Sequence, residues 1–433
     1  MAVLQKSLEQ AVSQLPTEVG RYVVAYSGGR DSHVLLHALS READYRRHVT
    51  AVHVHHGLQS EADAWADHCR RQCDALSVSL EVHSVEVSCS PGDSLEAVAR
   101  TARYALFKQL MQPGDVLLTA HHQRDQAETL LLQLLRGAGL SGMAAMPEVT
   151  PLGQGLLCRP LLRLSQVEVD RYAKDHVLSW IEDPSNQDMR FDRNYLRQQV
   201  LPLLESRWPS YALTLSRSAQ CCAQAAELTV GLARDDLQRV CHRDGTLDIS
   251  DLRAWPAERT HAVLRVWLSD LSLPSPRMSH QQHIVDDVIL ARPDSSPCVR
   301  WVGCEIRRYR QRLYAMKPLQ EFDHSQNWTW SVAENGECLP LKLPHGVLEL
   351  STTQAQCWAG QDFVVRFRQG GEKGVMPDGH HHALKKLFQS WGVPPWMRDR
   401  VPLIFHHGEL LTVVGFGCCI TAMNRSLDVI FSN

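Results

Sequence analysis

An apolar run, Tyr22-Val23-Val24-Ala25-Tyr26, stops at Ser27-Gly28-Gly29, and helical spacing of apolar positions follows over residues 33–39. A short β-branched run predicts a buried strand, and the glycines predict a tight turn into a helix. The alternation continues: a strand over 49–54, a helix over 60–76, a strand over 78–87, and a helix with Glu96, Arg100, Arg103 and Tyr104. A buried strand over 115–120 then runs into an apolar helix ending near residue 135. Strand–helix–strand at this spacing predicts parallel βαβ units, hence an α/β first domain over residues 1–206.

The pattern changes at Trp208-Pro209-Ser210. Residues 211–240 are rich in Ala, Gln and Leu, which predicts a long helix. A mainly helical domain is expected over 207–330, with a strand pair over 300–316 and a polar linker over 320–331. A small α+β domain is expected over 331–433, with strands near 347–350, 363–367, 403–405 and 410–414 and a helix over 383–391.

Composition changes little in this picture. The chain has 433 residues, 44% hydrophobic and 21% charged, and a net charge of −3. Any nucleic-acid binding must therefore come from local patches. The longest apolar run, residues 410–423, is too short for a membrane span, so a cytoplasmic location is the expectation. The 13 cysteines include no C-x-x-C. Cys69 and Cys73 are read as a helix face and His380-His381-His382 as a solvated loop, neither as a metal site.

The turn at Ser27 carries the first candidate chemistry. Successive N–H groups ahead of a helix make an anion nest, Gly28 and Gly29 allow close approach, and Ser27 and Ser32 add hydroxyls. Asp31 repels phosphate unless a cation lies between them, which points to Mg²⁺. A plain helix cap through Asp31 or Ser32 is the alternative. No Lys follows these glycines and they do not begin a G-x-G-x-x-G, so the commoner nucleotide loops are excluded at this turn.

His121, His122, Asp125 and Glu128 crowd the end of the fourth strand, where open α/β sheets bind ligands. Asp125 and Glu128 share a helix face; capping and dipole pairing would account for them, but not for the histidines as well. Arg103 reads equally as a triphosphate contact or a solvated cation. The acid-rich loop 178–188 is a further source of carboxylates for a cationic substrate. Arg300, Arg307, Arg308, Arg310 and Arg312 face one acid, Glu305, and suit either an RNA backbone or a solvated strand face. Trp328 and Trp330 are expected to pack on a domain.

Ser27-Gly28-Gly29-Arg30-Asp31-Ser32 resembles the signature of the N-type ATP pyrophosphatases, the PP-loop family. An ordered set of motifs narrows the resemblance. Val54-His55-His56-Gly57-Leu58, Glu96-x-x-x-Arg100-x-x-Arg103-Tyr104 and Ala120-His121-His122-x-x-Asp125-Gln126-x-Glu128-Thr129 are followed by Leu135-Arg136-Gly137-Ala138-Gly139, Trp180-Ile181-Glu182-Asp183-Pro184 and Arg193-Asn194-Tyr195-Leu196-Arg197. Together they resemble the tRNA(Ile)-lysidine synthetases closely over about the first 205 residues. Lys385-Lys386-Leu387-Phe388 through Trp396-Met397-Arg398-Asp399 resembles the C-terminal domain of that family's longer members.

The resemblance implies an adenine nucleotide alpha hydrolase-like parallel sheet, followed by two tRNA-directed parts. It implies ATP and Mg²⁺, and ligation of L-lysine to C2 of the wobble cytidine in a CAU-anticodon tRNA(Ile) through an adenylated cytidine. Carried over residue by residue, Ser27, Gly28, Gly29, Arg30, Asp31 and Ser32 would hold ATP, with Asp31 on Mg²⁺ and Arg103 on the phosphates. His121, Asp125 and Glu128 would hold and deprotonate lysine, and Arg193, Arg197, Lys385 and Lys386 would meet tRNA. One position departs: Arg124 stands where the family usually has an acid. A homodimer is left open. The rival readings are a tRNA thiolase of the PP-loop family, disfavoured by the missing C-x-x-C, and a non-catalytic tRNA-binding relative disabled by Arg124.

Overall fold

The computed structural model describes residues 2–16, 18–42, 45, 48–55, 57, 61–86, 95–292, 295–321, 323–375, 380–418, 427 and 429–432. His56, Leu58 and the loop expected at 88–94 lie outside them. The chain divides into two compact units, Met1–Gly231 and Leu232–Asn433.

The first unit is built on a six-stranded sheet. Its strands are β1 (Arg21–Ala25), β2 (Val49–His55), β3 (Ser79–Ser84), β4 (Asp115–Leu118), β5 (Val149–Leu152) and β6 (Gly155–Cys158). They lie in the order β3-β2-β1-β4-β6-β5, and every pair is parallel except β5 with β6. β1 is central because it is apolar on both faces: Tyr22, Val23 and Val24 are all buried, and Tyr22 sits in register with Val49 on one side and Val116 on the other.

Helices cover the sheet: α1 (Ala2–Val12), α2 (Arg30–Arg41), α3 (Ala62–Leu76), α4 (Leu95–Leu110), α5 (Gln123–Leu135) and α6 (Gln166–Asp175). After α7 (Asp192–Tyr195), a π-helical turn, Leu196–Val200, leads into α8 (Leu201–Arg207) and the 30-residue α9 (Tyr211–Val240). Because β2 and β4 flank β1 on opposite sides, the connections leave the sheet in opposite directions there. A crevice opens beyond the carboxyl ends of β1 and β4.

The helix α2 is buried along nearly its whole length. Burial, and then His68, pushes His33 down to about 4; burial, and then His176, pushes His37 down to about 4. Their ring nitrogens meet Tyr26 Oη at 2.8 Å and Tyr172 Oη at 3.0 Å. Both rings stay neutral in the fold but take protons near pH 6.5 once unfolded. The unfolded chain therefore binds more protons between pH 6.5 and 4, so this contribution is complete above about pH 6.5 and is lost as pH falls towards 4. The melting temperature should drop steadily from pH 7 to pH 5, and His37→Asn should flatten that slope. A melting curve indifferent to pH over this range would contradict the assignment.

The second unit holds mainly antiparallel sheets and the helix Ala257–Asp270. Residues 300–316 contribute to three strands, Cys298–Trp301, Cys304–Tyr309 and Arg312–Met316, where the sequence predicted a pair. The arginines on them, which suit either an RNA backbone or a solvated strand face, have partners within the unit. Glu305 is fully buried and binds Arg300 at 2.7 Å and Arg307 at 2.9 Å. Arg308 is buried on the carbonyls of Ile289 and Ala291, Arg312 pairs with Asp244 at 2.7 Å, and Arg310 donates to the Gln389 carbonyl. Arg308 is thus spent on the fold, while the Arg300 and Arg312 side chains stay about half-exposed.

Part of the predicted linker is also structure. Asn327–Ser331 is an edge strand, and Trp330 is buried beside Phe363 while Trp328 packs on Phe367. His381–Ala383 pairs with Lys373–Val375 as strands, so the histidine run is not a free loop. Lys385 and Lys386 are exposed on the helix Leu384–Ser390, whose other face buries Leu384, Leu387 and Phe388. No helix among the described residues is long and apolar enough to cross a membrane.

Candidate active site

The turn after β1 is closed on itself. Ser27 Oγ and Ser32 Oγ lie 3.0 Å apart, the Gly29 amide donates to Ser27 Oγ at 3.3 Å, and Ser32 Oγ donates to the Gly29 carbonyl at 2.9 Å. Gly29 is the N-cap of α2, and no side chain caps the helix, so the plain-cap reading of Asp31 and Ser32 falls away. Gly28 has φ +80°, and a Cβ there would stand 2.8 Å from Ile181 Cδ1 and 3.0 Å from Cys69 Sγ. Its carbonyl accepts from the Ile181 amide at 2.9 Å. Gly28→Ala should therefore strain the backbone and push Ile181 away, destabilising the unit by about 1–3 kcal/mol and raising KM for ATP. An unchanged melting temperature and KM would refute this account of the turn.

Asp31 points from the first turn of α2 towards the end of β4. Its Oδ2 lies 3.6 Å from His122 Nε2, and Asp125 Oδ2 lies 3.5 Å from the same nitrogen. Burial pushes the Asp31 carboxyl up, but His122 and then Arg30 outweigh it and hold it at about 2. His122 is also the N-cap of α5. Its Nδ1 accepts the Arg124 amide at 3.2 Å, and Asp125 Oδ2 accepts the His122 amide at 3.0 Å. The cap fixes the tautomer: Nδ1 accepts, so the proton sits on Nε2, between the two carboxylates. Burial lowers the affinity of this ring for a second proton, but Asp125 and Asp31 press it upward, and the balance is upward.

A Mg²⁺ ion keeps several waters and takes one or two protein carboxylates plus phosphate oxygens. Two ionised carboxylates facing one histidine fit that demand when a nucleotide completes the shell. Among the described residues no group of three or more His, Cys, Asp or Glu side chains could hold a metal ion by itself.

Other assignments change. The Arg30 guanidinium is committed to Asp31 at 3.0 Å and Asp170 at 2.8 Å, so its backbone, not its charge, belongs to the nest. Glu128 is fully buried: Arg197 Nε donates to Oε1 at 2.8 Å, and Oε2 accepts from Arg197 Nη2 at 2.8 Å and Arg193 Nε at 3.1 Å. It is absent from the cavity wall, so the expected contact with lysine is corrected; Glu128 holds two arginines. Those arginines, assigned from sequence to tRNA, line the cavity instead of an outer face.

His121 lines the cavity. Burial lowers its proton affinity most, Asp125 opposes, and Arg159, Arg100 and Arg193 add to the lowering, leaving it at about 3. Its Nδ1 faces Thr119 Oγ1 at 2.9 Å. The ring is therefore neutral and can hydrogen-bond at the cavity wall.

The cavity itself measures about 520 Å³, within the range that holds a nucleotide-sized ligand. Ser27 stands at one side, with Arg100 and Arg103 on α4, His121, Asp125 and Asp183 around it. Ala25, Val52, Val54 and Trp65 supply an apolar wall suited to a purine, and Phe191 adds a second aromatic. Sequence reading missed Trp65 and Phe191, because a lone aromatic on a helix or loop reads as core until the cavity beside it is known. Lys385 and Lys386 belong to the second unit.

Comparison with known proteins agrees along the chain. Residues 2–204 match the PP-loop domain family, residues 247–314 the TilS substrate binding domain and residues 363–428 the TilS substrate C-terminal domain. The chain is similar to the tRNA(Ile)-lysidine synthase of Coxiella burnetii, 41% identical over 93% of this chain and 90% of the relative. That of Methylococcus capsulatus is 43% identical over 91% of each, and that of Xanthomonas axonopodis pv. citri 42% over 93% of this chain and 90% of the relative. Identity at this level over nine-tenths of both partners, with the nest, the strand-end acids and both tRNA-directed segments in place, leads to one assignment: the chain belongs to the tRNA(Ile)-lysidine synthase family.

Proposed function

We propose that this protein joins L-lysine to C2 of the wobble cytidine in a CAU-anticodon tRNA(Ile), using ATP and releasing AMP and pyrophosphate. The observation that carries the reading is the meeting of the anion nest, the Asp31–His122–Asp125 set and the cavity arginines at one crevice, in a chain of this family. The thiolase alternative loses its ground, since the relatives matched over most of the chain are lysidine synthases.

The chemistry divides into two steps. The O2 oxygen of cytidine attacks the α-phosphorus of ATP, the bond to the β-phosphate breaks, and pyrophosphate leaves. The backbone amides of Gly28 and Gly29 and the Ser27 and Ser32 hydroxyls hold the departing group. Arg103 neutralises charge as it develops. Asp31 and Asp125 would hold Mg²⁺, which when bound screens the phosphate charge from these carboxylates. In the second step the ε-amine of lysine attacks C2, the C2–O2 bond breaks, and AMP departs with that oxygen. Asp125 and Asp183 are the carboxylates on the cavity wall, so they meet the lysine ammonium. Burial raises Asp125, but His122, His121 and Arg193 hold it below the usual carboxylate range, so it is ionised and pairs with the lysine ammonium, whose proton leaves to solvent.

The target base lies in a single-stranded anticodon loop and enters the cavity without melting a helix. Lys385 and Lys386 are the exposed cations assigned to the tRNA backbone. The direct test is incubation with ATP, labelled lysine and CAU-anticodon transcript. Label should enter the RNA in proportion to AMP formed; tRNA binding without incorporation would overturn the proposal.

A further inference from the structure

The π-helical turn Leu196–Val200 leaves one backbone group without its normal partner. The Leu201 amide donates to the Leu196 carbonyl, five residues back. The next bond of that ladder would run from residue 202 to the Arg197 carbonyl, but residue 202 is Pro and has no N–H. A half-buried carbonyl left unpaired is costly. Arg124 supplies the missing donor: its Nη2 meets the Arg197 carbonyl oxygen at 3.0 Å.

The same Arg197 arms the cavity. Its Nε and Nη2 hold the two oxygens of Glu128, Nη2 reaches Asp125 Oδ1 at 3.3 Å, and its side chain lines the wall. Arg124 Nε stays 3.9 Å from Glu128 Oε1, too far for a hydrogen bond, so its directional contact is with the carbonyl. Arg197 is thus held at two points, its guanidinium by Glu128 and its backbone by Arg124.

We propose that Arg124 is a positioning residue: it latches the backbone of Arg197, in place of the amide that Pro202 removes, and so fixes the Arg197 guanidinium against Asp125 in the cavity. The kinetic part rests on the lysidine-forming reading. The non-catalytic alternative, in which Arg124 disables the site, is the opposite statement about the same residue.

The test uses the full-length protein and Arg124→Met, Arg124→Lys and the pair Arg124→Met/Pro202→Ala. Arg124→Met keeps the apolar stem but cannot donate. It should lower kcat for lysine incorporation by about 10-fold or more while KM for ATP moves by less than about 3-fold, because orientation is lost more than binding. Arg124→Lys, which still donates, should recover most of the rate. Pro202→Ala restores an N–H at the ladder position and should recover part of it in the Arg124→Met background. In an Arg197→Met background, Arg124→Met should add nothing further. Additive losses, or a fully active Arg124→Met, would overturn the proposal. Hydrogen exchange supplies a readout independent of the reaction: amides of residues 196–201 should exchange about 10-fold faster in Arg124→Met and revert with Pro202→Ala. Unchanged exchange would overturn it even if the wild-type protein formed no lysidine, an outcome that would separately sink the functional reading.

Discussion

Asp31→Ala abolishes release of AMP and pyrophosphate, lowering turnover by about 10³-fold or more, while tRNA affinity stays within a few fold. The asymmetry follows from where Asp31 sits. It is the carboxylate at the head of α2, between the nest and His122, and it is ionised at every working pH. Nothing else in the nest can link a cation to the phosphates, because Ser27, Gly28, Gly29 and Ser32 offer only donors and hydroxyls. Asp31→Asn separates charge from shape, since it still receives the His122 contact. It should lose as much activity as Asp31→Ala. Pyrophosphate release and filter binding at fixed salt measure both quantities. Substantial turnover in Asp31→Asn would remove the cation-linked role.

Glu128→Gln unfolds or severely weakens the first unit before it says anything about lysine. The side chain is fully buried against Arg193 and Arg197. Removing its charge leaves the Arg193 guanidinium without its counter-ion and Arg197 with Asp125 alone, at a cost of about 3–5 kcal/mol. A drop in melting temperature on the order of 10 °C is expected for a unit of this size. Had Glu128 been a lysine contact, the same substitution would raise KM for lysine and leave the melting temperature alone. Calorimetry beside lysine kinetics decides between the two, and a stable variant with a selectively raised KM would restore the reading from sequence.

Much of the site was legible in the sequence because it is locally encoded. The run from Tyr22 to Ser32 contains its own strand, turn and helix start, so the nest could be read without knowing its neighbours. His122 and Asp125 are likewise three apart at a strand end, and their capping box is a local event. What could not be read was the partner across the crevice. Asp31 meets His122 only because β1 and β4 are adjacent, a fact of sheet order and not of spacing.

Charge counting misses burial in two places. Five arginines near one glutamate suited an RNA backbone or a solvated face alike, and Glu305 lies buried among them with Arg308 spent on backbone carbonyls. Glu128 looked available until Arg193 and Arg197 were found on it. In both cases burial, which composition does not report, decides whether a charge serves a ligand or the fold.

In the proposed reaction the base, not the amino acid, is activated by ATP. A transcript carrying oxygen-18 at O2 of the wobble cytidine tests this most directly. Adenylation at that oxygen followed by attack of the amine at C2 requires the label to appear in the phosphate of the released AMP, one atom per lysine incorporated. AMP free of label, with lysine still joined to the RNA, would contradict the mechanism.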